Sequence, residues 1–281
     1  MNFPIAPQPK MKRTPFVWLN SLAIVLLSLF ASFLLVHPAH GETTSASGAE
    51  EITTLPATIT QPGTYYLKQN FQVNMTGGDV LLINASDVTV DLNGHTISNL
   101  AAGPPVTARA IHAYNRENIT IRNGKISGFH RGINLESDPV TNSTLSSGHL
   151  VEDIYVTRCN FLGITICGGN GTIRRCRFSK IGGTSTNNGI WPSAIIVAGP
   201  NQRVLDCDIG EGLANAWGGG STGILCHTTT DAILEGNRIS QVTHAIAYLS
   251  TATFKYRDTL TGTMVVPYWV GSGGIDAGGN N

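Results

Sequence analysis

A six-residue unit recurs along the chain with an apolar residue at each end and polar or small residues between. Its copies are LNGHTI from Leu92, IRNGKI from Ile121, VTRCNF from Val156, IRRCRF from Ile173, VLDCDI from Val204 and LEGNRI from Leu234. A second unit sits between these hexamers, a small residue followed by an alternating apolar run: AIHAY from Ala110, GINLE from Gly132, GITIC from Gly163, AIIVA from Ala194, GILCH from Gly223 and AIAYL from Ala245. Alternation with period two predicts strands with one inward and one outward face, and the small residue marks a tight corner where each strand begins. A strand this short cannot bury its apolar face alone. Its recurrence predicts a solenoid in which one hexamer and one pentamer make most of one rung. The hexamers advance by about thirty residues in most steps and by seventeen from Val156 to Ile173, so the short step reads as the bare rung.

The longer steps carry loops. From pentamer to next hexamer the connection is short except at 137–155. From hexamer to pentamer the long insertions are 98–109, 179–193 and 210–222. If rungs stack in register, these three leave from one corner and build a wall beside the pentamer sheet, the usual place for a solenoid's binding face.

The N-terminal pattern differs. Lys10, Lys12 and Arg13 precede an apolar run at about 16–36, then Ala39-His40-Gly41 offers small residues of the kind a signal peptidase reads. Residues 1–41 are therefore expected to be a secretory signal, with a retained membrane anchor as the competing reading because the run approaches the length of a bilayer span. Residues 42–58 read as a linker, 59–253 as the solenoid, and 254–281 as a C-terminal cap or Gly-rich tail. The formal net charge is zero, which removes any general electrostatic case for nucleic acid.

Candidate chemistry sits in the columns that stacking would create. At the fourth hexamer position His95, Gly124, Cys159, Cys176, Cys207 and Asn237 would line up, which suits an internal stack or an adjacent-rung disulfide better than a metal site, since no CxxC-type spacing is present. The five cysteines leave at least one thiol unpaired within one chain. The third and fifth positions bring Asp206 beside Arg175, and Asp208 between Arg177 and Arg238, as cross-strand ion pairs. A stripe of Arg122, Arg158, Arg174, Arg175 and Arg177 could instead hold carboxylates or sulfates of an anionic polymer.

The pentamer sheet offers the better site. Its first outward position carries His112, Asn134, Thr165, Ile196 and Leu225, and its end carries Tyr114, Glu136, Cys167, Ala198 and His227. Trp191 and Trp217 lie in two of the same-corner insertions, where an indole either stacks on a sugar ring or tucks beneath its own loop. Glu136 with His112 is the candidate acid/base pair.

The runs DVTVDLNGHTI (87–97) and NITIRNGKISGFHRGI (118–133) resemble the repeats of secreted bacterial right-handed parallel β-helix proteins of the pectate-lyase-like superfamily. That wider group includes the copper-processing β-helix proteins associated with nitrous oxide reductase. The resemblance implies an all-β coil of roughly 6–8 rungs with an N-terminal cap at 59–73 and a ligand on an outward sheet face. The catalytic segments of pectate lyases, polygalacturonases and alginate epimerases have no counterpart here; the nearest, Asp138-Pro139-Val140-Thr141, lacks the epimerase His and second Asp. No catalytic residue can be carried over. The expectation is a secreted or periplasmic protein that binds polysaccharide without catalysis, through Trp191, Trp217, His112, Asn134 and Arg174. No metal or other cofactor is expected, save calcium if the ligand contains uronic acids. The alternative is a polysaccharide lyase, hydrolase or epimerase acting on uronic-acid polymers.

Overall fold

A computed structural model describes residues 48–137, 146–184, 191–214, 220–249, 252–261, 266–269 and 274–280. The chain divides into Met1–Ser47 and Gly48–Asn281. The segment read as a signal falls in the first unit, outside the described residues.

The second unit is built of parallel β-sheet. One sheet has 16 strands, its path running from Glu50–Ile52 through Gly63–Leu67, Val88–Asp91, Thr120–Ser127, Leu150–Thr157, Thr172–Arg174, Arg203–Leu205, Ala232–Glu235 and Phe254–Arg257 to Gly274–Asp276. The other has nine, from Ala57–Ile59 through Asp79–Ile83, Arg109–Tyr114, Arg131–Glu136, Leu162–Ile166, Ser193–Pro200, Thr222–Thr230 and His244–Leu249 to Val266–Trp269. Along both paths each strand pairs, in parallel, with the strand one repeat before it and the strand one repeat after. The arrangement is compatible with a solenoid. Strand pairing begins at Glu50, inside the stretch read as a linker, and continues past Phe254 into the expected tail.

Register corrects two copies of the hexamer. Val90 pairs with Ile121, and Ile121 with Val151, so the rung openings are Val90, Ile121, Val151, Ile173, Val204, Leu234 and Tyr256. The third copy is VEDIYV from Val151, not VTRCNF from Val156, and the first begins two residues before Leu92. The shortest step is therefore 22 residues, taken twice, from Val151 to Ile173 and from Leu234 to Tyr256. This frame moves Cys159 and Arg158 out of the expected columns. Ile154 faces Gly124, and Cys159 lies at a different corner, where its carbonyl accepts the Gly182 amide.

The opening residues are all buried, and those from Val90 to Leu234 form an aliphatic spine within the main core. Corners are turned by single residues in the left-handed region: Asp87, Asn118, Gly148, Asn170, Asn201 and Asp231 make one such ladder. Asn and Asp tolerate that region best among residues with a side chain. Here they also join the rungs, Asn118 Nδ2 donating to Asp87 Oδ1 at 2.7 Å and Asn201 Nδ2 to Asn170 Oδ1 at 3.2 Å.

The small residue that opens each pentamer has a steric cause. A Cβ added at Gly163 would lie 2.3 Å from the Ala194 carbonyl oxygen and 2.9 Å from the Phe178 ring. The three long insertions leave after Ser98, Ser179 and Gly210, which share one column, and re-enter at Arg109, Ser193 and Thr222, which share another.

Two outcomes follow for stability. Gly163→Ala should cost about 1–3 kcal/mol by overpacking, read as a lower urea midpoint at unchanged slope; a neutral substitution would contradict the close approach. His149 is buried, accepting the Ile119 amide at Nδ1 (3.3 Å) and facing Ser146 Oγ from Nε2 (2.7 Å). Burial lowers its pKa from 6.5 to about 4. The folded state thus resists a proton that the unfolded chain accepts, so this contribution is full above pH 6.5 and is lost as pH falls toward 4. Between pH 7 and pH 5 it should remove about 2 kcal/mol, and His149→Gln should flatten that slope in urea titrations at the two pH values.

Candidate functional site

The outward column of the second sheet is formed as its period-two pattern requires: Leu82, His112, Asn134, Thr165, Ile196, Leu225 and Ala247 are successive register partners. Its environment differs from the solvated face expected. His112 is 7% exposed and Asn134 0%, and the remaining members from Thr165 onward are buried too. Periodicity fixes which way a side chain points, not what lies above it. The column divides into two chemistries. Ile196, Leu225 and Ala247 join Phe161 and Leu162 in a small apolar cluster separate from the main core, whereas His112, Asn134 and Thr165 make a polar strip on three adjacent strands.

Two ion pairs border that strip. Arg109 grips Asp79 with Nε on Oδ1 (2.5 Å) and Nη2 on Oδ2 (3.0 Å), and Arg131 Nη1 donates to Glu136 Oε1 at 2.6 Å. His112 stands between them. Its Nδ1 is 3.1 Å from Asp79 Oδ2, and its Nε2 is 3.7 Å from Glu136 Oε2, beyond hydrogen-bond length. Sequence reasoning placed Glu136 and His112 on adjacent rungs, and the structure brings them together. Burial pushes the Glu136 carboxyl up, but the facing His112 and Asn134 side chains and the Arg131 charge outweigh it and hold the pKa at about 2. Glu136 is therefore an anion at neutral pH. In that state it is placed to accept a proton rather than to donate one.

Four buried atoms of the strip lack a hydrogen-bond partner: His112 Nε2, both amide atoms of Asn134, and Thr165 Oγ1. The Asn134 amide acts on the Glu136 charge without a hydrogen bond of ordinary geometry. Buried polar groups left this way are uncommon, and four across three strands mark the strip as a candidate binding site.

The other candidates lie elsewhere. Trp191 stacks on His244, ring centroids 4.3 Å apart at 19°, on a strand five steps along the sheet from His112 and so about 24 Å away. Trp217 lies outside the described residues. Arg174 belongs to the first sheet and is bound to Glu152 Oε2, with Nε at 2.8 Å and Nη2 at 2.7 Å. Four of the five arginines of the expected stripe meet carboxylates: besides Arg174, Arg122 pairs with Asp91, Arg175 with Glu152 and Asp153, and Arg177 approaches Asp208 at 4.0 Å, whereas Arg158 has no carboxylate within ion-pair distance among the described residues.

All five cysteines are free. Burial pushes the Cys159 and Cys226 thiols up to about 12, as suits core residues, and the half-buried Cys167 to about 11. Among the described residues no group of three or more His, Cys, Asp or Glu could hold a metal ion.

Sequence reasoning missed Asp79, Arg109 and Arg131. The two arginines precede the small residue of AIHAY and GINLE, a shared signal one position outside the unit, whereas Asp79 opens DVLLI, a strand without the small-then-Ile start. Comparison with family models, curated proteins and solved structures finds no match to this chain.

Proposed function

We propose that this is an exported right-handed parallel β-helix protein that binds carbohydrate at the His112–Asn134–Thr165 strip and acts as a binding protein rather than an enzyme. Handedness follows from the general preference, since connections between parallel strands of one sheet are right-handed in about 98% of cases. Export rests on the basic and apolar segment at 1–41, and the likeness of 87–97 and 118–133 to pectate-lyase-like repeats supports the coil.

The observation that carries the binding reading is the set of four unpartnered polar atoms on three adjacent strands. An amide and a hydroxyl together offer both donors and acceptors, and sugar hydroxyls return both. Each bordering carboxylate is already matched by an arginine. A neutral sugar therefore suits the strip better than a polyuronate, and calcium has no bridging role to play.

Asn134→Leu tests this directly. Replacing an unsatisfied buried amide with an apolar group of similar shape should stabilise the fold by about 1–3 kcal/mol while abolishing retardation in affinity gels of neutral polysaccharide, with or without calcium. A less stable variant that still binds would sink the proposal.

One observation favours the enzyme reading, in which the chain is a lyase, hydrolase or epimerase. Asp79 on Nδ1 of His112 fixes the ring with Nε2 toward Glu136, an arrangement suited to moving one proton. Incubation with neutral and uronic-acid polymers, reading unsaturated uronates and reducing ends, separates the two. Product that disappears in Glu136→Gln while binding persists would establish catalysis; no product from any polymer would remove it.

A further inference from the structure

The charges on the outer face of the first sheet are matched in many places, and unmatched cations gather at one corner. Stacking in register brings Asp91 to Arg122, Glu152 to Arg122 and Arg174, and Glu235 to Arg257. Three of these pairs are joined directly, Arg122 to Asp91, Arg174 to Glu152 and Arg257 to Glu235, and Arg175 also closes on Glu152 and Asp153. The pattern fails where the strands Thr120–Ser127, Leu150–Thr157 and Arg177–Ser179 reach their corner. There Lys125 and Arg158 have no carboxylate within ion-pair distance among the described residues, and Lys180 approaches Glu211 only at 3.9 Å. These three cations and one carboxylate line a cleft of about 280 Å³, with a surplus of two positive charges on a chain whose formal net charge is zero.

The floor of the cleft is a run of hydroxyls. Tyr155 Oη lies 2.7 Å from Ser179 Oγ, and Thr157 Oγ1 lies 3.0 Å from the same oxygen. The Tyr155 ring is fixed by cations on both neighbouring strands, Lys125 Nζ and the Arg177 guanidinium each standing 5.2 Å from its centroid. Arg158 and Lys180 are both held in the left-handed conformation at successive turns of one corner, each with its amide committed to the next rung. The backbone that carries the two cations is thus fixed before any ligand arrives. The Tyr155 hydroxyl is drawn below the usual phenol range, first by Ser179 against the effect of burial, then by Thr157 and the nearby Arg177 and Lys125 charges. A site that favours a phenolate favours other anionic oxygen.

We propose that this cleft binds a tetrahedral oxyanion, a sulfate or phosphate group, through Lys125, Arg158 and Lys180 with the Thr157, Ser179 and Tyr155 hydroxyls beneath it. A planar carboxylate is satisfied by a single bidentate arginine, as at Asp79. Three separate cations over a hydroxyl floor match an anion with three outer oxygens instead. The site lies on the first sheet, so it stands independently of the carbohydrate strip on the second.

Thermal unfolding of the full chain tests it, with inorganic sulfate and phosphate titrated against chloride at constant ionic strength. Both oxyanions should raise the unfolding temperature saturably, and Lys125→Ala with Arg158→Ala should weaken that response at least tenfold. Tyr155→Phe, which keeps the ring, should weaken it several-fold. Arg203→Ala, which removes a cation of the same sheet that has no carboxylate partner among the described residues, should leave it unchanged. Two further arms identify the source. A phosphate ester loses charge and effect as pH falls through about 6, whereas a sulfate ester does not, and affinity gels compare a sulfated polysaccharide with its desulfated form. Equal responses to sulfate, phosphate and chloride, or equal responses from the double variant and the parent, would overturn the proposal.

Discussion

Both sheets of the described residues are governed by the pairing of each strand with its counterpart one repeat away. Parallel strands one repeat apart meet in register at a spacing of about 4.8 Å, so a residue's nearest neighbours across the sheet are its own counterparts in the rungs before and after. A side chain that repels its counterpart is penalised at every rung. Apolar residues satisfy the constraint without help, and the openings from Val90 to Leu234 stack as one buried column. Corners satisfy it with Asn and Asp, which both accept the left-handed backbone and bond to their own kind. Charged residues satisfy it only by alternating in sign, as Asp91, Arg122, Glu152 and Arg174 do along one column.

Two places break this rule, and they break it differently. At the strip on the second sheet the charges remain matched, but Asn134 and Thr165 are buried with polar atoms unpaired. Such groups cost about 1–3 kcal/mol each when left without a partner, a burden that a Leu or Val in the same column would remove, as Ile196 and Leu225 show farther along. At the cleft on the first sheet the polar atoms are joined to one another, but the charges are not matched. Departures gathered on adjacent strands in this way mark positions where folding alone does not explain the residues.

Local pattern made the aliphatic spine, the small-residue corners and the outward column legible, because each depends on a period that a single rung displays. The frame of the rungs was less legible. Val156 is apolar at the end of VEDIYV and equally apolar at the start of VTRCNF, so both frames satisfy the hexamer pattern. Only hydrogen bonding from Leu150–Thr157 to Thr120–Ser127 decides between them, and that is a relation between segments about thirty residues apart. The error propagated to chemistry: with Arg158 in the wrong column the arginines read as a continuous stripe, and Asp153, which neutralises Arg175, went unnoticed. Burial of the outward column was illegible for a related reason, since the alternation of AIHAY and GINLE specifies direction and nothing about cover.

The strip's geometry bears on what kind of ligand it can discriminate. Asp79 and Glu136 flank His112 from opposite sides, and each is held by an arginine of its own, so with a neutral imidazole the five groups sum to no charge. Glu136 keeps its negative charge down to about pH 2. A neutral sugar suits such a balance, because its hydroxyls turn to donate or accept as the neighbouring groups require. A polyanion would meet carboxylates there whose arginines already neutralise them. On the two proposals, polar recognition divides by location: hydrogen-bond exchange at a buried strip of balanced charge on one sheet, and charge in an open cleft on the other.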